Sequence, residues 1–299
     1  MSLLLIDSAS LWYRAYYGMP DTLLSPKGEP INAIKGFIDM TARLALHYKP
    51  SQIVLCLDGD WRPSWRVELF PEYKLNRVDE EGGEEEPDLL TPQIPQILDF
   101  FDAVGLPIIG VDDAEADDVI ATIAHRADRP VRIVTGDRDL FQLVDDDRDI
   151  KVAYLAKGIS AHDLVDLKWI ETKYQIPGDR YGLFAMIRGD ASDGLPGIRG
   201  IGEKGAAVIA SNFATMEDVI VAAQNDDERL GATHRKKILA DLNYAKIASQ
   251  LVSCAKDLRL PEFAPSLPSR PINERAMRKL QEELGLGASV DRLISALAW

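Results

Sequence analysis

Ser2 to Asp7 reads S-L-L-L-I-D, and Ser8 to Arg14 continues S-A-S-L-W-Y-R. A short apolar run closing on a carboxylate and passing into an amphipathic stretch predicts a buried strand feeding a helix. A nucleotide-binding enzyme would place a glycine-rich turn at that junction, and none is present. Ile53–Asp58 (I-V-L-C-L-D) and Val131–Thr135 (V-R-I-V-T) repeat the pattern, and Leu106–Val111 supplies another candidate strand. Helix-length amphipathic stretches separate these runs, so the alternation predicts βαβ units: an α/β fold with a mostly parallel sheet covered by helices over residues 1 to about 178. Ligands of such sheets bind outside the carboxyl ends of the strands. Asp7 and Asp58 are expected to close their strands, with Asp137 and Asp139 just beyond the third, so four carboxylates should share one rim.

After Gly178 the strand signals stop. Asp179–Ile187, Glu203–Phe213, Thr215–Gln224 and His234–Cys254 carry helical patterns, which predicts a helical second domain over residues 179–264. The proline-rich Leu260–Pro271 should link a C-terminal helical tail, placed at 265–299. Asp79–Asp88 (D-E-E-G-G-E-E-E-P-D) has no apolar anchors and reads as a mobile loop.

The 299 residues carry a formal net charge of −14, which argues against a nucleic-acid partner unless the acids are concentrated in one place. Two distant cysteines, Cys56 and Cys254, and four scattered histidines offer neither a zinc site nor a disulfide framework. The N-terminus lacks a signal-peptide pattern and a membrane-length apolar run, so a cytoplasmic protein without a membrane partner is expected.

Asp112–Asp118 reads D-D-A-E-A-D-D ahead of an apolar helical pattern, where acids also complement a helix dipole. Thr135–Leu140 reads T-G-D-R-D-L, and Gly189–Gly194 reads G-D-A-S-D-G; a solvated turn and helix capping would each account for one of them. Their conjunction carries more. Asp7, Asp58, Glu115, Asp117, Asp118, Asp137, Asp139, Asp190 and Asp193 all fall at expected strand ends and helix starts. Two like charges about 4 Å apart repel by roughly 4 kcal/mol at an effective dielectric near 20. Such a cluster must take up protons or hold cations. Oxygen donors without Cys or His select Mg2+ or Mn2+, and two such ions suit phosphodiester hydrolysis.

The run G-D-A-S-D-G-L-P-G-I-R-G-I-G-E-K-G-A (Gly189–Ala206), with E-A-D-D at Glu115–Asp118 and T-G-D-R-D at Thr135–Asp139, resembles the 5′-nuclease domain of bacterial DNA polymerase I and the flap endonuclease superfamily. The resemblance runs from about Ser2 to about Leu258 and implies a PIN-like core followed by a helix–two-turn–helix hairpin. It places all nine carboxylates as metal ligands. R-V-E-L-F-P-E-Y-K-L-N-R (Arg66–Arg77) is similar to the base of an arch, here about residues 62–92. Lys74 and Arg77, three apart, are expected to share a helical face. By that resemblance they steer the scissile phosphate, while Tyr73, Arg66, Arg14 and Lys204 contact DNA. Gly197, Gly200 and Gly202 would let the hairpin backbone approach a phosphate. The carbonyls of Ile198 and Ile201 would hold a monovalent cation such as K+. The acidic run after Arg77 departs from a basic arch, which a threaded single strand would require.

A stand-alone 5′-nuclease acting on 5′ flaps, nicks, gaps and 5′ ends is therefore expected, as a monomer and with replication or repair proteins as partners. A catalytically silent DNA-binding protein would not need nine carboxylates. A metal-dependent ribonuclease would lack the duplex-gripping hairpin.

Overall fold

The computed structural model describes residues 2–79, 82–84, 86–264 and 266–298. Glu80, Glu81 and Glu85 of the acidic run, Pro265 at the start of the expected tail, and Trp299 lie outside the described residues.

Six strands form one sheet in the order β3-β2-β1-β4-β5-β6. They are β1 (Leu3–Asp7), β2 (Gln52–Cys56), β3 (Ile108–Ile109), β4 (Val131–Thr135), β5 (Ile150–Tyr154) and β6 (Asp163–Val165). All pairings are parallel except β5 with β6. The chain builds outward from β1 to β3, then returns to β1's other side with β4. Strand order thus reverses between β1 and β4, which opens a crevice at their carboxyl ends.

β1 is buried along its whole length because both sheet faces are covered. Leu4 and Ile6 face one core with Phe37, Phe100 and Phe101. Leu3 and Leu5 face a second core with Phe141, Tyr181 and Phe184. The first face is covered by α1 (Ser8–Gly18), α2 (Asn32–Tyr48) and α4 (Gln93–Val104); α3 (Ser64–Leu69) is short and lies in the arch segment. The second face is covered by α5 (Ala116–Arg126), α6 (Leu167–Tyr174) and α7 (Tyr181–Arg188).

The helical region continues with α8 (Glu203–Asn212), α9 (Met216–Gln224), α10 (Ala232–Ala240) and α11 (Leu242–Val252). The expected long helix at 234–254 is broken at Asp241, which sits at the α10–α11 junction. The tail is no loose appendage. Its helices α12 (Glu274–Glu283) and α13 (Ala288–Ala296) bury Met277, Val290 and Leu293 in the core shared with α2 and α4. No single helix among the described residues is long and apolar enough to cross a membrane.

Three sequence expectations are corrected. Asp58 lies two residues beyond β2, and the Leu106–Val111 run forms strand only at Ile108–Ile109. Lys74 and Arg77 share no helix face: Pro71 follows the end of α3, Lys74 is left-handed (φ 49°), and Leu75–Arg77 is a single 3-10 turn.

Candidate metal and phosphate site

β1 ends in Asp7, whose carboxylate accepts from the Ser10 amide at 3.1 Å and from Thr135 Oγ1 at 2.6 Å. One bond caps α1 and the other ties the ends of β1 and β4 together. Asp58, exposed beyond β2, accepts from the Ala116 amide at 2.8 Å and so fixes the start of α5. After β4, Asp137 accepts from the Asp139 amide at 2.8 Å, an Asx turn that aims both side chains off the sheet edge.

Asp190 is set by the Ser192 amide and hydroxyl, at 2.8 and 2.5 Å. Asp193 is met by Arg77 Nη2 at 2.5 Å, and its carbonyl accepts from the Lys74 amide at 2.9 Å. The arch segment is thereby stitched to the helical region. Lys74 Nζ pairs with Glu115. Eight of the nine carboxylates, with Lys74, Arg77 and Arg14, line one cavity of about 850 Å³.

The ninth, Asp118, does not line the cavity. Both its oxygens are filled: Oδ1 by Arg66 Nη2 at 2.8 Å and the Ala255 amide at 2.8 Å, Oδ2 by Arg66 Nη1 at 2.7 Å and the Glu115 amide at 3.2 Å. The side chain is 1% exposed. Helix capping and a buried ion pair explain it.

Arg66 is likewise no DNA contact, being 3% exposed and also bonded to Glu115 at 2.5 Å. Tyr73 is no stacking platform, because it is buried and donates its hydroxyl to Glu115. Gly197 does not face a phosphate: a Cβ there would stand 2.5 Å from the Ile187 carbonyl, so the glycine serves an internal backbone crossing. Gly200 and Gly202 are exposed, as is Lys204 on the first turn of α8. The Ile198 carbonyl already accepts from the Ile201 amide at 2.9 Å.

Burial, then the bonds from Thr135 and Ser10 that oppose it, then the charges of Asp58 and Asp137 together push Asp7 up to about 7. Burial and then Asp137 also raise Asp117 and Asp139 well above the usual carboxylate range. Burial acts upward on Asp190 too, but the Ser192 bonds, with Arg188 and Arg138, outweigh it and hold Asp190 low.

The donor set suits oxygen-preferring divalent ions. Asp139 Oδ1 is buried without a hydrogen-bond partner, and the acids around it favour a cation. Among the described residues no group of three or more His, Cys, Asp or Glu side chains stands arranged to hold a metal ion. Glu115 and Asp193 are instead paired with Lys74 and Arg77.

Sequence reading missed Thr135, Glu84 and Arg188. Thr135, a polar residue ending an apolar strand beside Asp7, was readable in principle. Glu84 lines the cavity from the acidic run. A bridge to Val78 folds it back there, and no local pattern announces that pairing.

The profile of the 5′-3′ exonuclease N-terminal resolvase-like domain matches residues 2–175, and that of the 5′-3′ exonuclease C-terminal SAM fold matches residues 176–275. A 5′-3′ exonuclease of Streptomyces coelicolor is 44% identical, over 98% of this chain and 99% of that protein. DNA polymerase I of Mycobacterium bovis is 32% identical over 99% of this chain, which spans 32% of that protein. Bacteriophage T5 D15 flap endonuclease, solved with DNA and metal ions, shares the fold with a TM-score of 0.58, 19% identity, and coverage of 94% of this chain and 98% of that one. With the two domains matched in succession over residues 2–275 and a relative 44% identical over nearly its whole length, the chain belongs to the 5′-3′ exonuclease family.

Proposed function

We propose that this chain is a structure-specific 5′-nuclease that hydrolyses DNA phosphodiesters at 5′ flaps, nicks, gaps and 5′ ends, with two or more divalent ions, in replication and repair. One observation carries the reading: eight carboxylates from the sheet rim and the helical region face a single cavity beside Lys74 and Arg77. Asp7, Asp58, Glu115, Asp117, Asp137, Asp139, Asp190 and Asp193 are the groups that would hold Mg2+ or Mn2+. Ions held there supply Lewis-acid chemistry, activating water and offsetting charge on the leaving oxygen.

The chain's own cations have a separate task. Lys74 and Arg77 stand in the cavity wall with carboxylate partners, so an entering phosphate shares charges that are already positioned. Exposed Gly200, Gly202 and Lys204 are the hairpin face offered to the duplex, and the Ile198 and Ile201 carbonyls would hold the K+. That the T5 protein was solved with both DNA and metal ions supports the substrate class. Monomeric action in the cytoplasm belongs to the same reading.

A 5′-flapped DNA duplex and an all-RNA duplex, each incubated with and without Mg2+, test it. Mg2+-dependent release of the flap with the RNA intact is expected. No cleavage of DNA, or equal cleavage of RNA, would overturn it.

A further inference from the structure

A buried arginine, Arg66, and a largely buried one, Arg188, meet the carboxylate rim, and they act in opposite ways. Arg66 is saturated: three hydrogen bonds of 2.5–2.8 Å bind it to Glu115 and Asp118, and Asp118 is removed from the cavity as a result. Arg188, the last residue of α7, only approaches its acids. Its Nη2 is 3.9 Å from Asp139 Oδ1 and 3.6 Å from Asp190 Oδ2.

Neither contact is a hydrogen bond, since both are too long for one and Asp139 Oδ1 is buried without a hydrogen-bond partner. The guanidinium is nevertheless fixed. Nε donates to the Gly189 carbonyl at 3.0 Å, the Phe184 ring lies 5.3 Å away, and the side chain is 11% exposed. It stands behind the carboxylates and does not itself line the cavity.

We propose that Arg188 is a positioning residue of the metal site: its charge draws together Asp139 of the sheet rim and Asp190 of the helical region without using up the oxygens that a divalent ion needs. This rests on the reading that these carboxylates hold metal. A full hydrogen-bonded fork, as at Arg66, would consume the acceptors; a neutral residue would leave two like charges free to splay. Because α7 leads directly into Gly189 and Asp190, the same side chain also fixes how the helical region meets the sheet.

The test uses the full chain and Mn2+ alone as the probe. Calorimetric Mn2+ titrations of the parent, R188M and R188K are run beside the Mn2+ dependence of flap cleavage. R188M is expected to bind Mn2+ about tenfold more weakly, the usual scale for losing an outer partner of a metal ligand. Half-maximal cleavage should shift by the same factor, with a smaller change at saturating Mn2+, and R188K should recover part of the shift. An unchanged or tighter isotherm in folded R188M overturns the proposal. Should R188M not fold, R188K decides, an isotherm equal to the parent's being the overturning result. A parent that binds Mn2+ but cuts no flap refutes the nuclease reading instead, and the calorimetric shift still judges Arg188.

Discussion

The sheet rim and the segment between Trp61 and Pro92 face each other across one cavity, yet different physics places their side chains. At the rim, bonds from amides and hydroxyls at strand ends and helix starts fix Asp7, Asp58 and Asp137, and the turn closed onto Asp137 by the Asp139 amide places Asp139 beside them. In the opposite segment, long-range ion pairs fix Lys74 and Arg77: one to Glu115, the other to Asp193. Rim positions should therefore tolerate neutral replacement without losing the fold. Positions in the segment should trade geometry and stability together.

Asp139→Asn probes the rim most sharply, because it removes charge at an oxygen that has no protein partner. Cleavage should fall by about 1000-fold or more if that oxygen is a metal ligand. Flap binding and the melting temperature should hold. Turnover near the parent's at saturating Mg2+ would remove Asp139 from the ligand set.

On the other side, Arg66→Ala leaves Asp118 and Glu115 buried without their shared cation, a change of about 3–5 kcal/mol when one member of a buried pair is removed. Urea unfolding measures it. A stable variant with weakened DNA affinity would restore Arg66 as a DNA contact.

Lys74→Ala and Arg77→Ala should lower the single-turnover rate by about 100-fold while affecting binding less, since their charge matters most once the transition state has developed. A loss confined to affinity would make them ordinary backbone contacts.

The rim's charge also predicts a pH response in metal-free protein. Asp7 titrates near 3.8 in an unfolded chain and at about 7 in the fold, so the fold holds the proton more tightly. Its contribution to stability is complete at pH below the first value and is lost as pH rises through the second. Asp117 and Asp139 shift in the same direction. Without metal, the melting temperature should decline between about pH 4 and pH 7, and the decline should be shallower in Asp7→Asn. A flat profile would mean that these acids are solvated.

This contrast also explains what the sequence discloses. Alternating apolar runs that stop at Asp7, near Asp58 and before Asp137 locate a sheet edge, because strand periodicity and chain direction are local properties. Four of the eight cavity carboxylates follow from that, and Glu115, Asp117, Asp190 and Asp193 come instead from their motifs and the resemblance those carry. Asp118 was misassigned because its spacing from Glu115 suits a shared ligand face and a helix start equally well, and only the distant Arg66 decides between them. Lys74 lines the cavity, but not from the helical face expected with Arg77, since its left-handed backbone goes with a bond to the Asp193 carbonyl far along the chain. The tail helices were expected, but not their burial on α2 and α4, which no short-range pattern encodes.

The hairpin gives the smallest effect and separates two glycines that the sequence treats alike. Gly200 sits at φ +81°, and a Cβ there would lie 3.4 Å from Lys237, so Gly200→Val strains the backbone whether or not DNA is bound. Gly202 precedes α8 at φ −86°, and a Cβ on it would meet nothing within 4 Å. Gly202→Val should therefore fold and melt as the parent does. What it can disturb is whatever approaches from outside. A phosphate docking at the start of α8 would be held off by the β-branched side chain, lowering affinity for flapped duplex by roughly three- to tenfold and making the slope of log affinity against log salt shallower. Cleavage of short single strands, which do not reach both hairpin and cavity, should hardly change. If folded Gly202→Val binds duplex as the parent does, with the same salt slope, residues 196–206 are an interhelical turn and the duplex is gripped elsewhere.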